Sequence, residues 1–109
     1  MTNIALVLTT VGEKTDADAL ARVLVEERLA ACVSIGAPMA SVYRWSGAIE
    51  RSAERQLVIK TTVDCLEALQ KRIDELHSYD LPEFLVLNVQ GSERYLSWIA
   101  GETAPHPPG

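Results

Sequence analysis

The chain is poor in the residues that most often carry chemistry. It has two histidines, His77 and His106, and two cysteines, Cys32 and Cys65, in 109 residues. The cysteines are not spaced as a metal-binding CxxC, and two thiols make no disulfide framework. In a reducing compartment both read most simply as buried thiols, and the scarcity of histidine limits any metal site that one subunit can build. Only six side chains are aromatic, so the core must be mostly aliphatic. Basic runs are missing too. Ten Lys and Arg stand against fifteen Asp and Glu, a net charge of −5, which argues against nucleic acid, because holding phosphates needs clustered cations. Apolar runs such as Ile4 to Leu8 are far too short to span a bilayer, and no charged leader precedes that one. The expected setting is cytoplasmic, without a membrane. There is no internal repeat, glycine-rich phosphate loop or linker.

What is present is organised around residues 30–62. The first arm of this stretch is rich in β-formers from Val33 on, Ser46-Gly47 makes a tight turn, and the second arm ends in the alternating run from Arg55 to Thr62. About fourteen residues per arm at ~3.3 Å each give a hairpin of roughly 45 Å. A compact chain of this length has a diameter of only roughly 35 Å, so the hairpin is expected to project onto other copies of the chain.

Before it, Ile4 to Leu8 reads as a strand ended by Thr9 and Thr10, and Thr15 or Asp16 caps an amphipathic helix running to about Leu29. After it, Asp64 and Glu67 resemble a capping box for a helix to about Leu76 whose apolar face holds Cys65, Leu69 and Ile73. Pro82 then forces an extended backbone, Phe84 to Val89 forms the last strand, and Ser92 caps a short helix that turns Tyr95, Trp98 and Ile99 toward the sheet or a neighbour. Residues 1–103 are expected to form one domain and 104–109 a disordered tail. The order β-α-β-β-α-β, with right-handed crossovers, is an α+β ferredoxin-like sheet with helices on one face. The first and last strands are apolar on both sides, so the helix-free faces are expected to turn inward in a closed homo-oligomer.

Chemistry concentrates in the loop from His77. An imidazole, a phenol and a carboxylate (His77, Tyr79 and Glu83) lie within seven residues at a helix-to-strand junction. His77 can ligate a metal as a neutral base, Tyr79 can donate, and Glu83 can accept or ligate. The plainer alternative is that His77 caps helix carbonyls, Tyr79 packs, and Glu83 pairs with a cation. Trp45, Glu50, Glu54 and Lys60 lie on the hairpin, either as a solvated and intersubunit set or as groups carried to a neighbour's His77 loop. An enzyme is not expected: His77 and Glu83 could form an acid-base pair, but no nucleophile motif or cofactor fingerprint accompanies them.

The segments 27–33 (Glu-Arg-Leu-Ala-Ala-Cys-Val), Ser41-Val42-Tyr43 with Trp45 and Gly47, Ile49-Glu50 with Glu54, Ile59-Lys60-Thr61, Glu75-Leu76-His77 with Tyr79, Pro82-Glu83, and Tyr95-Leu96-Ser97-Trp98 together resemble the CutA family over roughly residues 4–100. The resemblance implies a trimer similar in architecture to the PII signalling proteins, and a role in divalent-cation tolerance in which copper is the usual metal. It also implies a metal at His77 and a cleft between subunits lined by Tyr79, Glu83, Glu54, Lys60 and Trp45, with Cys32 a buried thiol. A PII-like regulatory trimer that binds a small ligand and signals to a partner protein is the alternative. Where some relatives carry a cysteine and a second histidine, this chain has Thr9 and Leu76, and Ser78 replaces the usual proline. One imidazole with a carboxylate is therefore a weak copper site unless a neighbour adds donors.

Overall fold

The computed structural model describes residues 3–104. Five strands form one antiparallel sheet: β1 (Ile4–Gly12), β2 (Cys32–Ile35), β3 (Met39–Trp45), β4 (Ala48–Thr62) and β5 (Leu85–Asn88). Three helices accompany them, α1 (Ala17–Glu26), α2 (Leu66–Leu76) and α3 (Glu93–Glu102). The strand order is β2-β4-β1-β5, with β3 also paired to β4. That order is the one expected when two β-α-β units interleave. Of the expected tail, Ala104 donates its N–H to the Arg28 carbonyl at 2.8 Å, and 105–109 lie outside the described residues.

Register assigns each strand residue to a face. Ala5, Val7, Thr9 and Val11 of β1 pair with Thr61, Ile59, Leu57 and Arg55 of β4 and look toward α1 and α2. There Val7, Val11, Leu57 and Ile59 close on Leu20, Leu24, Leu69 and Ile73 as the main core. Each fully buried aliphatic side chain contributes about 1.5–3 kcal/mol. A smaller cluster of Ile4, Leu96 and Ile99 seats α3.

Several boundaries differ from the sequence expectation, each for a local reason. The first strand does not stop at Leu8. It continues through Thr9, Thr10 and Val11 because β4 is long enough to pair with it as far as Gly12↔Glu54. Helix α1 ends at Glu26 and not near Leu29. Arg28 adopts φ 61°, the Arg28 N–H donates to the Val25 carbonyl and the Leu29 N–H to the Leu24 carbonyl. This is a Schellman stop built without the glycine that would have signalled it. The Asp64–Glu67 capping box does not form; a 3₁₀ turn, Val63–Cys65, precedes α2, and no side chain caps it. In α3 the packed residues are Leu96 and Ile99, while Tyr95 and Trp98 stay 44 % and 43 % exposed.

The first hairpin arm is interrupted between β2 and β3 at residues 36–38, where the Gly36 N–H still bonds the Gln56 carbonyl. A Cβ on Gly36 would lie 3.1 Å from that carbonyl, so the close approach depends on glycine. The turn is as expected. Trp45 pairs with Ala48, and Ser46 and Gly47 have φ of 50° and 81°, the two positive values of a type I′ connection. The molecule measures 44 × 32 × 23 Å. On the face without α1 and α2, Leu6 and Leu8 are half-buried, whereas Leu85 and Leu87, which pair with Leu8 and Leu6, are 54 % and 48 % exposed.

Candidate functional site: a cleft at the root of the hairpin

The loop after α2 is fixed by one imidazole. The His77 N–H closes the helix on the Ile73 carbonyl, and the ring leaves the helix to reach β1, with Nε2 2.6 Å from the Thr10 carbonyl oxygen. The Tyr79 backbone N–H donates to Nδ1 at 3.0 Å. A carbonyl only accepts and a backbone N–H only donates, so the partners define the state: Nδ1 carries the lone pair, Nε2 the proton, and the ring is neutral. Both nitrogens are thereby engaged. The imidazole neither caps helix carbonyls nor presents a free nitrogen, and it could ligate a metal only by releasing Thr10 or Tyr79.

The Tyr79 ring lies against the His77 ring, centroids 4.6 Å apart, and its hydroxyl donates to Glu54 Oε2 at 2.8 Å. Burial, and then the Glu54 carboxylate, pushes the Tyr79 phenol up to about 12, so it remains a donor. Glu54 is only 8 % exposed. Glu83 lies near enough to feel its charge. Burial first, and Glu54 second, hold the Glu83 carboxyl above its ordinary value of 4.5, and Glu83 Oε2 is closed off from solvent with no hydrogen-bond partner among the described residues.

These groups open onto a cleft of about 550 Å³ between the hairpin and residues 80–85. Trp45, Glu54, Tyr79 and Glu83 all line it, joined by Thr10, Ser41, Tyr43, Asp80 and Phe84. Here the expected arm-to-loop approach occurs within one chain, since Glu54 bonds the Tyr79 of its own subunit. Lys60 is elsewhere. Its Nζ donates to the Tyr95 hydroxyl at 3.1 Å, a bond that raises the Lys60 pKa, and it belongs to the α3 end of the sheet. Cys32 pairs in register with Lys60 and within one chain is half-buried on the edge strand β2, whereas Cys65 is buried.

Tyr43 could have been found from sequence, since it stands two positions from Trp45 and so shares its face of β3. Thr10 could not, because local cues end the strand before it. Thr9 points the opposite way, into the helix side, buried with Oγ1 unpartnered among the described residues. The residue at that position therefore does not shape the cleft.

Glu83 gives a pH prediction. Its folded pKa is raised above the unfolded value, so folding favours the protonated form. That contribution is full below the unfolded value near 4.5 and is lost as pH rises through the folded pKa. Glu83→Gln removes a carboxylate that is half-buried and unpaired, so the gain lies at the low end of the usual cost, about 1 kcal/mol at pH 7. We expect Tm to rise by about 4 °C at pH 7 and the gap from wild type to close as pH falls toward 4.5. A gap that widens on acidification would contradict the assignment.

Among the described residues no group of three His, Cys, Asp or Glu is arranged to hold a metal ion. The donors the cleft offers are oxygens, from Glu54, Glu83, Asp80, Tyr79 and Ser41. Copper favours sulfur and imidazole nitrogen, and these residues as folded do not fit it. Oxygen donors suit manganese, magnesium or calcium.

Fold and cleft together define a small antiparallel α+β protein with a ligand-sized acidic cleft at the root of a β-hairpin. Residues 5–102 match the family model described as CutA1 divalent ion tolerance protein, and the chain belongs to that family. The divalent-cation tolerance protein CutA of Thermus thermophilus is 40 % identical over 99 residues, covering 90 % of this chain and 96 % of that one. The crystal structure of CutA from Xylella fastidiosa superposes with a TM-score of 0.90 at 40 % identity, over 94 % of this chain and 100 % of the other. A structure titled PII-like protein CutA from Nostoc sp. PCC 7120 in apo form gives a TM-score of 0.87 at 36 % identity, over 94 % and 99 % of the two chains. No helix among the described residues is long and apolar enough to cross a membrane.

Proposed function

We propose that this chain acts as a homotrimeric, cation-responsive binding protein in divalent-cation tolerance, taking its cation between Glu54 and Glu83 in a cleft that a neighbouring subunit helps to wall. The observation that carries the reading is Glu83 Oε2, a carboxylate oxygen shut off from solvent near a second carboxylate, with no hydrogen-bond partner among the described residues. A lone buried charge of this kind is costly, and a bound cation offsets the cost. Oxygen donors favour a hard divalent ion. Copper, the metal implied by the resemblance, becomes a ligand of this site only if His77 lets go of Thr10 or Tyr79. The trimer is supported by the exposed apolar side chains of β5 and by the long hairpin. The absence of any nucleophile motif in the sequence supports a binding role over catalysis, and two free thiols support a reducing compartment such as the cytosol.

Calorimetric titration with manganese(II) tests this. Wild type should bind, and Glu83→Gln should lose about tenfold or more in affinity; equal affinities would remove the carboxylates from the site. A second reading, a PII-like regulator that signals to a partner protein, is favoured by the cleft's position. A ligand bridging Glu54 on β4 and Glu83 on the facing loop would fix the root of a hairpin whose tip, around Trp45 and Ile49, is exposed. Hydrogen exchange at Ser46-Gly47 that does not change when manganese binds would count against it.

A further inference from the structure

The cleft is larger and more aromatic than a metal ion requires. A water-sized occupant needs on the order of 30 Å³, whereas this cleft is about 550 Å³, within the range of roughly 300–1,000 Å³ for small-molecule sites. Four of the six aromatic side chains in the sequence line it, namely Tyr43, Trp45, Tyr79 and Phe84. Within a single chain Tyr43 and Trp45 remain 40 % and 48 % exposed, so their rings are open to the cleft. Every charged residue on the lining is acidic, Glu54, Asp80 and Glu83. Aromatic faces carry a negative quadrupole that attracts an ammonium ion, and a carboxylate without a partner supplies the matching charge. A bare divalent ion would use the carboxylates and leave the aromatic wall idle.

We propose that the cleft binds a small organic cation, an ammonium head held by Glu83 and Glu54 and an apolar body lying on Trp45 and Tyr43. The inference rests on the reading of the cleft as a cation site and adds a second class of cation, organic and not metallic, that the same carboxylates would hold. Tyr79 is already committed as donor to Glu54 Oε2, which leaves Glu83 as the principal acceptor for the head. The hydroxyl of Tyr43 is tied to Ser52 Oγ at 2.8 Å, which holds that ring in place on the hairpin.

Phenylethylammonium is a suitable probe, with 2-phenylethanol and 3-phenylpropionate as uncharged and anionic counterparts of similar shape. Calorimetry on the intact protein at pH 7 should show binding of the amine and at least about tenfold weaker binding of both counterparts. Glu83→Gln should weaken the amine by about tenfold or more, and Trp45→Leu by about three- to tenfold. Trp45 is exposed near the hairpin tip, so its replacement does not threaten the core. The proposal is overturned if the alcohol or the carboxylate binds as well as the amine, if neither variant changes its affinity, or if the amine fails to bind at ~10 mM. A neighbouring subunit's side chain filling the cleft would produce that last result. Manganese binding lost in Glu83→Gln, together with no amine binding, would sink this inference and leave the cation site standing. Failure of both ligands would remove the site itself.

Discussion

If the chain assembles as the proposed trimer, Leu87→Asp is expected to break it into single chains, read by light scattering as a threefold fall in mass. Leu87 is 48 % exposed on β5, pairs with Leu6 and belongs to neither core cluster, so one subunit tolerates the change. It lies beside Leu85, 54 % exposed, and the half-buried Leu8, on the side of the sheet that α1 and α2 leave bare. If three copies close over this face, each brings one carboxylate into an apolar contact with no partner. An unpaired buried charge costs several kcal/mol, and here the cost is counted three times. Circular dichroism should remain that of the folded chain. Wild type that is already a monomer, or a variant that keeps its mass, would show that this face is not the interface.

His77→Ala is expected to lower stability by about 3 kcal/mol, read as a fall in the urea midpoint with an unchanged slope. The imidazole joins three elements, since it leaves the end of α2, bonds the Thr10 carbonyl of β1 and accepts from the Tyr79 N–H. Thr10 is only 8 % exposed, so its carbonyl would be left with poor access to water, and a buried group left unpaired costs about 1–3 kcal/mol. The Tyr79 N–H loses its acceptor as well, and the tilted ring contact goes with it. Because Tyr79 then loosens, its hydroxyl bond to Glu54 weakens, and amide exchange should speed up at Tyr79 before it does in β4. An unchanged midpoint would mean that the ring's two hydrogen bonds contribute nothing net.

The element order and the tight turn at Ser46-Gly47 were legible because they rest on strong local signals. These are two amphipathic helices, an alternating strand, and Ser46-Gly47 between paired arms. The misplaced ends share a cause, in that tertiary partners overrode local cues. Thr9 and Thr10 look like a strand end, yet fifteen residues of β4 carry the pairing to Gly12. Arg28 stops α1 in a left-handed conformation that nothing in its chemistry announces. The Asp64–Glu67 pattern is a good cap in isolation but loses to the 3₁₀ turn that joins β4 to α2.

The site was legible in part. Trp45, Glu54, Tyr79 and Glu83 are chemically conspicuous, and they do meet in one cleft. Lys60 is equally conspicuous but sits six residues further along β4, about 20 Å at strand spacing, where Tyr95 claims it. The role of His77 could not be read at all. Sequence spacing says that an imidazole is near a phenol and a carboxylate, but only the fold shows both of its nitrogens already bonded. The same residue types are therefore placed differently: the carboxylates line the cleft, and the histidine holds the loop that carries one of them.

That division of labour is the central claim, and one comparison tests it most directly. Wild type, Glu83→Gln and His77→Ala, each verified as folded, are titrated calorimetrically with manganese(II) at pH 7. The account predicts that Glu83→Gln loses about tenfold or more in affinity, while His77→Ala, which loosens the loop without removing a ligand, still binds and loses less than Glu83→Gln does. Binding that survives Glu83→Gln and disappears with His77→Ala would contradict it, and would return the imidazole to the metal.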